Sequence, residues 1–335
     1  VILHPGILAL LFGSGLSLLL LSLAVPLAIR VLRRWDPASS DAGQLLLERQ
    51  TYLLSTLVSY ACGFQLLALL LYVFTADNLH QQFVGAMCAT GTFNANPVGW
   101  TLLKLKLLLF FAAGLWLVFN SITRQSADYP LTRLKYALLL VLWPLTLLDL
   151  VWQLQFFHGL EPQIITSCCG SLFSAAGSGV ASGLAELPLV PMMWTFYGGA
   201  ALLLVLLAAQ LRFRGGWLRY LAAVCGVGFF GLALAAMVTF ISVYIYQLPS
   251  HHCPFDILQS GYDWIGYPIY LGLFGGVFCT LVTGLYAWLR RVPSLEPLVQ
   301  RKERFWTLVA LLLLVLFLVL SSWPVVTGPF RMVYS

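Results

Sequence analysis

The chain has 335 residues, 60% of them hydrophobic and only 9% charged, with a mean hydropathy of +0.90 and a formal charge of +6. A water-soluble globular domain carries about 25% charged residues, so that class is excluded. Nucleic acid is not the expected partner either, because the basic residues sit in short flanks of apolar runs, where membrane topology accounts for them.

Eight apolar runs follow one another, each long enough for a helix to cross roughly 30 Å of hydrocarbon. They fall near 6–30, 51–75, 98–121, 136–157, 192–211, 217–246, 263–289 and 305–327. The expected fold is all-α: a polytopic integral membrane helical bundle of about eight spans, forming a single transmembrane domain over 1–335. The first span is long, has no small-residue cleavage site and ends in a basic stop, so it is expected to be retained.

The connections alternate in charge. The first holds Arg33, Arg34 and Arg49, the third Arg124, Arg133 and Lys135, the fifth Arg212, Arg214 and Arg219, and the seventh Arg290, Arg291, Arg301, Lys302 and Arg304. Positive residues favour the cytoplasmic side, so these four connections are expected there. The second, fourth and sixth lack Lys and Arg and carry Asp77, Glu161, Glu186 and Asp256. They are expected on the extracytoplasmic face of a plasma (inner) membrane, with both termini outside.

This topology gathers the chemistry-bearing residues. All five histidines, His4, His80, His158, His251 and His252, fall on the outer side, as do Cys88, Cys168, Cys169 and Cys253. Ahead of the third span, Asn96 is placed to cap a helix and Pro97 to open it. The fourth connection runs through Cys168-Cys169 into a Gly, Ala and Ser-rich stretch that could dip into the membrane edge. The spacing from Cys62 to Cys88 nearly matches that from Cys225 to Cys253, and Trp100 and Trp264 follow at similar distances. That admits a parallel four-plus-four repeat, with halves at 1–157 and 192–335.

The densest cluster is Ser250-His251-His252-Cys253-Pro254-Phe255-Asp256. Imidazole nitrogen and thiolate sulfur suit zinc or copper, with Asp256 as a ligand or as an orienting partner. Adjacent residues seldom all bind one ion, so Cys88, Cys168, Cys169, His80 and His158 are the further candidates. A packed polar turn, or two structural disulfides among the four outer cysteines, would account for the same residues without chemistry. Thiol exchange is disfavoured by the absence of a Cys-x-x-Cys pair and of nearby cations in the outer loops. Deeper in the chain, Lys104 and Lys106 in the third span and Asp149 in the fourth are ionisable groups in hydrocarbon. Either an Asp149–lysine pair forms there, able to relay a proton or bind an anionic head group, or the lysines snorkel to the surface. Glycines at 226, 228, 231, 272, 275 and 276 are expected to let helices approach closely.

The function expected from these residues is an outer-face Cys/His site for soft-metal binding or redox chemistry, in a subunit of a larger membrane complex. Its partners would be lipid and other membrane or outer-face redox subunits. The alternatives are a quinone- or haem-linked electron-transfer subunit, with haem ligated by His80, His158, His251 or His252, a transporter or permease accessory subunit, and a scaffold. No span contains an interior histidine for a transmembrane haem, and no Gly-x-x-x-x-Gly-Lys loop is present for a nucleotide.

Overall fold

The structure is a computed structural model, and it describes residues 2–36, 39, 41–126, 129–161, 183, 187–213 and 215–332. It is helical, with no strand among the described residues, and eight of its helices are long and apolar enough to cross a membrane. In chain order the elements are α1 (Pro5–Arg34), α2 (Ala42–Leu79), the short α3 (Ala89–Asn94), α4 (Val98–Thr123), α5 (Thr132–His158), α6 (Leu189–Arg212) and α7 (Gly216–Ala236). A π turn (Met237–Ile241) leads into α8 (Ser242–Tyr246), so that α7, the turn and α8 form one span. Then come α9 (Gly266–Leu289) and α10 (Glu296–Thr327). Large apolar side chains such as Phe12, Leu67, Leu202 and Leu312 are exposed on these helices. In a membrane protein that is the surface lipid covers.

Two helices run further than hydropathy alone suggests. α2 starts at Ala42 because the Asp41 carboxylate accepts the Gly43 N–H at 3.3 Å and caps it. α10 starts at Glu296, with an acidic residue and a proline in its first turn. Both extensions carry charges, at Glu48 and Arg49 and at Arg301 to Arg304, which lower the apolar average without opposing a helix. Ahead of α4, Asn96 Oδ1 accepts the Val98 N–H at 2.9 Å, and Pro97 stands just before the first helical residue.

The chain forms two compact units. Unit 1 comprises Val1–Val84 and Thr92–Thr166, and unit 2 comprises Gly85–Gly91 and Ser167–Ser335. In unit 1, α1 packs on α2, α2 on α4, α4 on α5 and α5 back on α1; in unit 2 the cycle is α6, α7, α9, α10 and back to α6. Any up-and-down four-helix bundle gives that cycle, so it does not by itself indicate a duplication. The core of unit 1 is built from Leu21, Leu27, Val58, Leu105, Leu109, Trp116, Leu139 and Leu142. That of unit 2 centres on Phe196, whose ring meets Phe229, Phe240 and Phe317 at 5.6–6.0 Å.

At the basic-loop end of unit 2, Glu303 is buried between two guanidinium groups, 3.1 Å from Arg219 and in contact with Arg290. This joins α7, the end of α9 and α10 at one carboxylate. Close helix approach holds α9 against α10. A Cβ at Gly272 would stand 2.8 Å from the Leu313 carbonyl oxygen, and one at Gly276 would stand 2.7 Å from the Leu314 side chain. Gly226 is also close to a neighbour, at Thr280, whereas Gly228 and Gly231 face open space. Gly272→Val should therefore destabilise the protein by about 1–3 kcal/mol through overpacking against backbone, read as a lower unfolding temperature in detergent. Gly228→Val should leave that temperature nearly unchanged.

Candidate functional site

The loop Gln247–Phe255 and the 3₁₀ turn Asp256–Leu258 that follows it are placed by two phenol side chains of unit 2. α8 stops at Gln247, whose φ of 56° is a left-handed helix cap. The loop then folds back over Tyr246. The Tyr246 hydroxyl donates to the Cys253 carbonyl at 2.6 Å and accepts the Ile257 N–H at 3.0 Å, while Tyr270 donates to the Pro254 carbonyl at 2.6 Å. Two phenols thereby satisfy loop backbone that would otherwise be buried without partners. Cys253 is held inward as a result, with no exposed surface.

Cys88 reaches the same place from a distant part of the chain. Gly85 turns the backbone at φ 83°, a conformation suited to glycine, and Cys88 precedes α3 with its carbonyl accepting the Gly91 N–H at 3.0 Å. Gln259 ties this segment to the loop by donating to the Met87 carbonyl at 3.0 Å. The Cys88 and Cys253 sulfurs stand 3.2 Å apart although 165 positions separate them. Both side chains are fully buried.

Around the sulfurs lies a graded set of polar groups. Cys253 Sγ donates to Asp256 Oδ1 at 3.4 Å, accepts the Phe255 N–H at 3.4 Å and lies 3.5 Å from the Thr90 hydroxyl. The other Asp256 oxygen is 2.5 Å from His251 Nε2. A carboxylate oxygen accepts there, so His251 holds its proton on Nε2. His252 is turned elsewhere: its Nδ1 donates to the Val238 carbonyl in the π turn at 2.8 Å. The His251 ring lies edge-on to Tyr246, with centroids 4.5 Å apart, and Tyr246 meets Tyr262 at 4.7 Å. Partial burial, and then the adjacent Asp256 and Cys253, push the Tyr262 phenol above its usual value.

Cys88 Sγ, Cys253 Sγ and an Asp256 oxygen all lie within 4.8 Å of one another, the only such group of three or more His, Cys, Asp or Glu among the described residues. Two sulfurs on one tetrahedral zinc at about 2.3 Å each would be about 3.8 Å apart, and a disulfide holds them at about 2.05 Å. The observed 3.2 Å lies between the two. The site could open slightly around a soft ion or close into a bond.

The remaining candidates are dispersed. His80 in unit 1 turns its Nδ1 to the Asp77 carbonyl, and His158, also in unit 1, is exposed at the end of α5. Cys168 and Cys169 lie outside the described residues. Lys104 is exposed on α4, whereas Lys106 is buried in unit 1 with its ammonium 3.0 Å from Asp149 Oδ1 and 3.2 Å from Oδ2. Asp149 Oδ2 also receives the Gln153 amide at 2.6 Å and the Ser14 hydroxyl at 3.4 Å. Tyr246, Thr90 and Ser14 were not foreseeable as site residues from the sequence. Gln153 had the one usable signal, a polar residue four positions after Asp149 and so on the same helix face.

Tyr246→Phe keeps the ring but strands the Ile257 N–H and the Cys253 carbonyl. It should cost about 1–3 kcal/mol locally, and the measurement is the alkylation rate of Cys253 under native conditions, which should rise above that of wild type. Comparison with known protein families, with curated proteins and with solved structures finds no match to this chain.

Proposed function

We propose that this is an integral protein of the plasma (inner) membrane that binds a soft metal ion at Cys88 and Cys253 on the extracytoplasmic side, as a subunit of a larger membrane complex. The observation that carries the reading is two fully buried sulfurs and a carboxylate oxygen within 4.8 Å of one another. Thiolate sulfur selects zinc or cuprous copper over harder cations, and Asp256 would complete the donor set or accept the proton that a thiol releases on binding. His251 then acts through Asp256, orienting the carboxylate from behind. The extracytoplasmic placement rests on the lysine- and arginine-free connections that supply these residues.

One observation favours a second reading, a dithiol–disulfide couple. Cys253 donates to Asp256, and Asp256 is paired with the partly exposed His251, a line along which a thiol proton can leave. In that chemistry the Cys88 and Cys253 S–H bonds break, a sulfur–sulfur bond forms, and two electrons and two protons pass to an acceptor such as a quinone, giving the quinol.

Metal content per chain of protein purified in detergent tests the first reading. Wild type should retain about one equivalent of zinc or copper, and Cys88→Ser with Cys253→Ser should lose it. Equal metal in both would remove these sulfurs as ligands. Under the second reading, wild type treated with a short-chain quinone should lose two thiols per quinol formed, and Asp256→Asn should slow that loss.

A further inference from the structure

The polar residues inside unit 1 have no part in the thiol site. They form two layers. Near the helix ends whose connections lack Lys and Arg, Lys106, Asp149, Gln153 and Ser14 are joined by the contacts given above, and Gln153 also donates to Ser14 at 2.8 Å. The Lys106 ammonium lies 5.6 Å from the centre of the Tyr72 ring. Near the basic end, Lys135 donates to Asn120 Oδ1 at 3.2 Å, and Asn120 donates to the Ser59 hydroxyl at 2.8 Å. Lys106 and Asn120 are 14 residues apart on α4, as are Lys135 and Asp149 on α5, so the layers are separated by about 21 Å at 1.5 Å per residue.

Gln65 lies between the two layers. It lies on the buried stripe of α2, seven residues from Tyr72 and six from Ser59, and only 3% of it is exposed. Neither its amide nitrogen nor its amide oxygen has a hydrogen-bond partner in the protein. Gln153 Oε1 and the Thr75 hydroxyl are likewise buried without one. Thr75 is one turn beyond Tyr72, toward the connection that follows α2. Polar groups left this way in hydrocarbon are costly, and the ordinary solution is water. At the basic end a cleft of about 40 Å³, lined in part by Glu48, Thr51, Tyr52, Ser55 and Arg124, reaches Lys135 of the second layer.

We infer that unit 1 conducts protons along a hydrated polar path, with Lys106–Asp149 as the pair through which each proton passes. An ion pair inside a membrane bundle is costly for packing alone and marks a relay or an ion pathway. The titratable groups facing Asp149 are Lys106 from α4 and Tyr72 from α2; α1 offers it the Ser14 hydroxyl. A proton arriving from the cleft converts the Asp149 carboxylate to the acid and releases the Lys106 ammonium from its pair. Lys106 then gives up a proton toward Thr75, and transfer from Asp149 to the resulting amine restores the pair. One proton enters and one leaves, with no other change. A metal cation is a poor occupant, because the Lys106 ammonium already stands where it would bind.

The test uses the full chain in phosphatidylcholine–phosphatidylglycerol vesicles holding a pH-sensitive dye, with a potassium diffusion potential set by valinomycin. Wild type should acidify the lumen faster than protein-free vesicles, and Asp149→Asn should bring the rate down to theirs. Gln65→Leu is the decisive variant. It removes the unpartnered amide without touching the ion pair, and should slow flux about tenfold or more while leaving the unfolding temperature equal or higher. Wild-type flux no greater than that of empty vesicles would overturn the proposal. So would a Gln65→Leu rate equal to wild type, since a packing role for the polar layers predicts that result.

Discussion

Hydrocarbon cannot hydrogen-bond, and that constraint organises this molecule. Each span must satisfy its backbone internally, so the chain resolves into helices, and every buried polar side chain needs a reason to be there. With 9% charged residues, few polar clusters remain inside. Among the described residues of unit 2, the thiol site and the Glu303 lock between Arg219 and Arg290 are two of them. In unit 1 they are the two layers on either side of Gln65.

Those clusters differ in how completely they are satisfied. The Cys253 loop is well supplied: Tyr246 and Tyr270 bond its backbone, and Asp256 and Phe255 meet its sulfur. Those bonds hold the loop backbone and orient Cys253 toward Cys88. The interior of unit 1 is the reverse, with amide and hydroxyl atoms that the protein itself does not partner. The chelating pair proposed for unit 2 and the relay inferred for unit 1 would make opposite demands, and each falls in a separate unit.

The spans were legible in the sequence because about 20 apolar residues have few alternatives. The starts of α2 and α10 were not, since Glu48, Arg49 and Arg301 to Arg304 lower the local hydropathy while remaining good helix formers. Cys88, Cys253 and Asp256 could be named in advance, but not how they divide the work. Nothing in His251-His252 says that one ring turns to Asp256 and the other to Val238, because that choice is made by the π turn and by Tyr246. Lys104 and Lys106 looked equivalent as well. Two residues apart on a helix they point about 200° from each other, and only Lys106 shares a stripe with the buried Leu102, Leu105 and Leu109. Gln65 gave no local signal, since its meaning depends on polar layers supplied by three other helices.

The most direct test of the thiol site is whether Cys88 and Cys253 meet in the native membrane protein. Mild oxidation of native membranes, followed by alkylation and non-reducing peptide mapping by mass spectrometry, reads this without any assumption about the metal or the acceptor. The expected result is a linked peptide pair joining Cys88 to Cys253, abolished by Cys88→Ser. Recovery of both cysteines as separately alkylated peptides, with no link between them, would contradict the account.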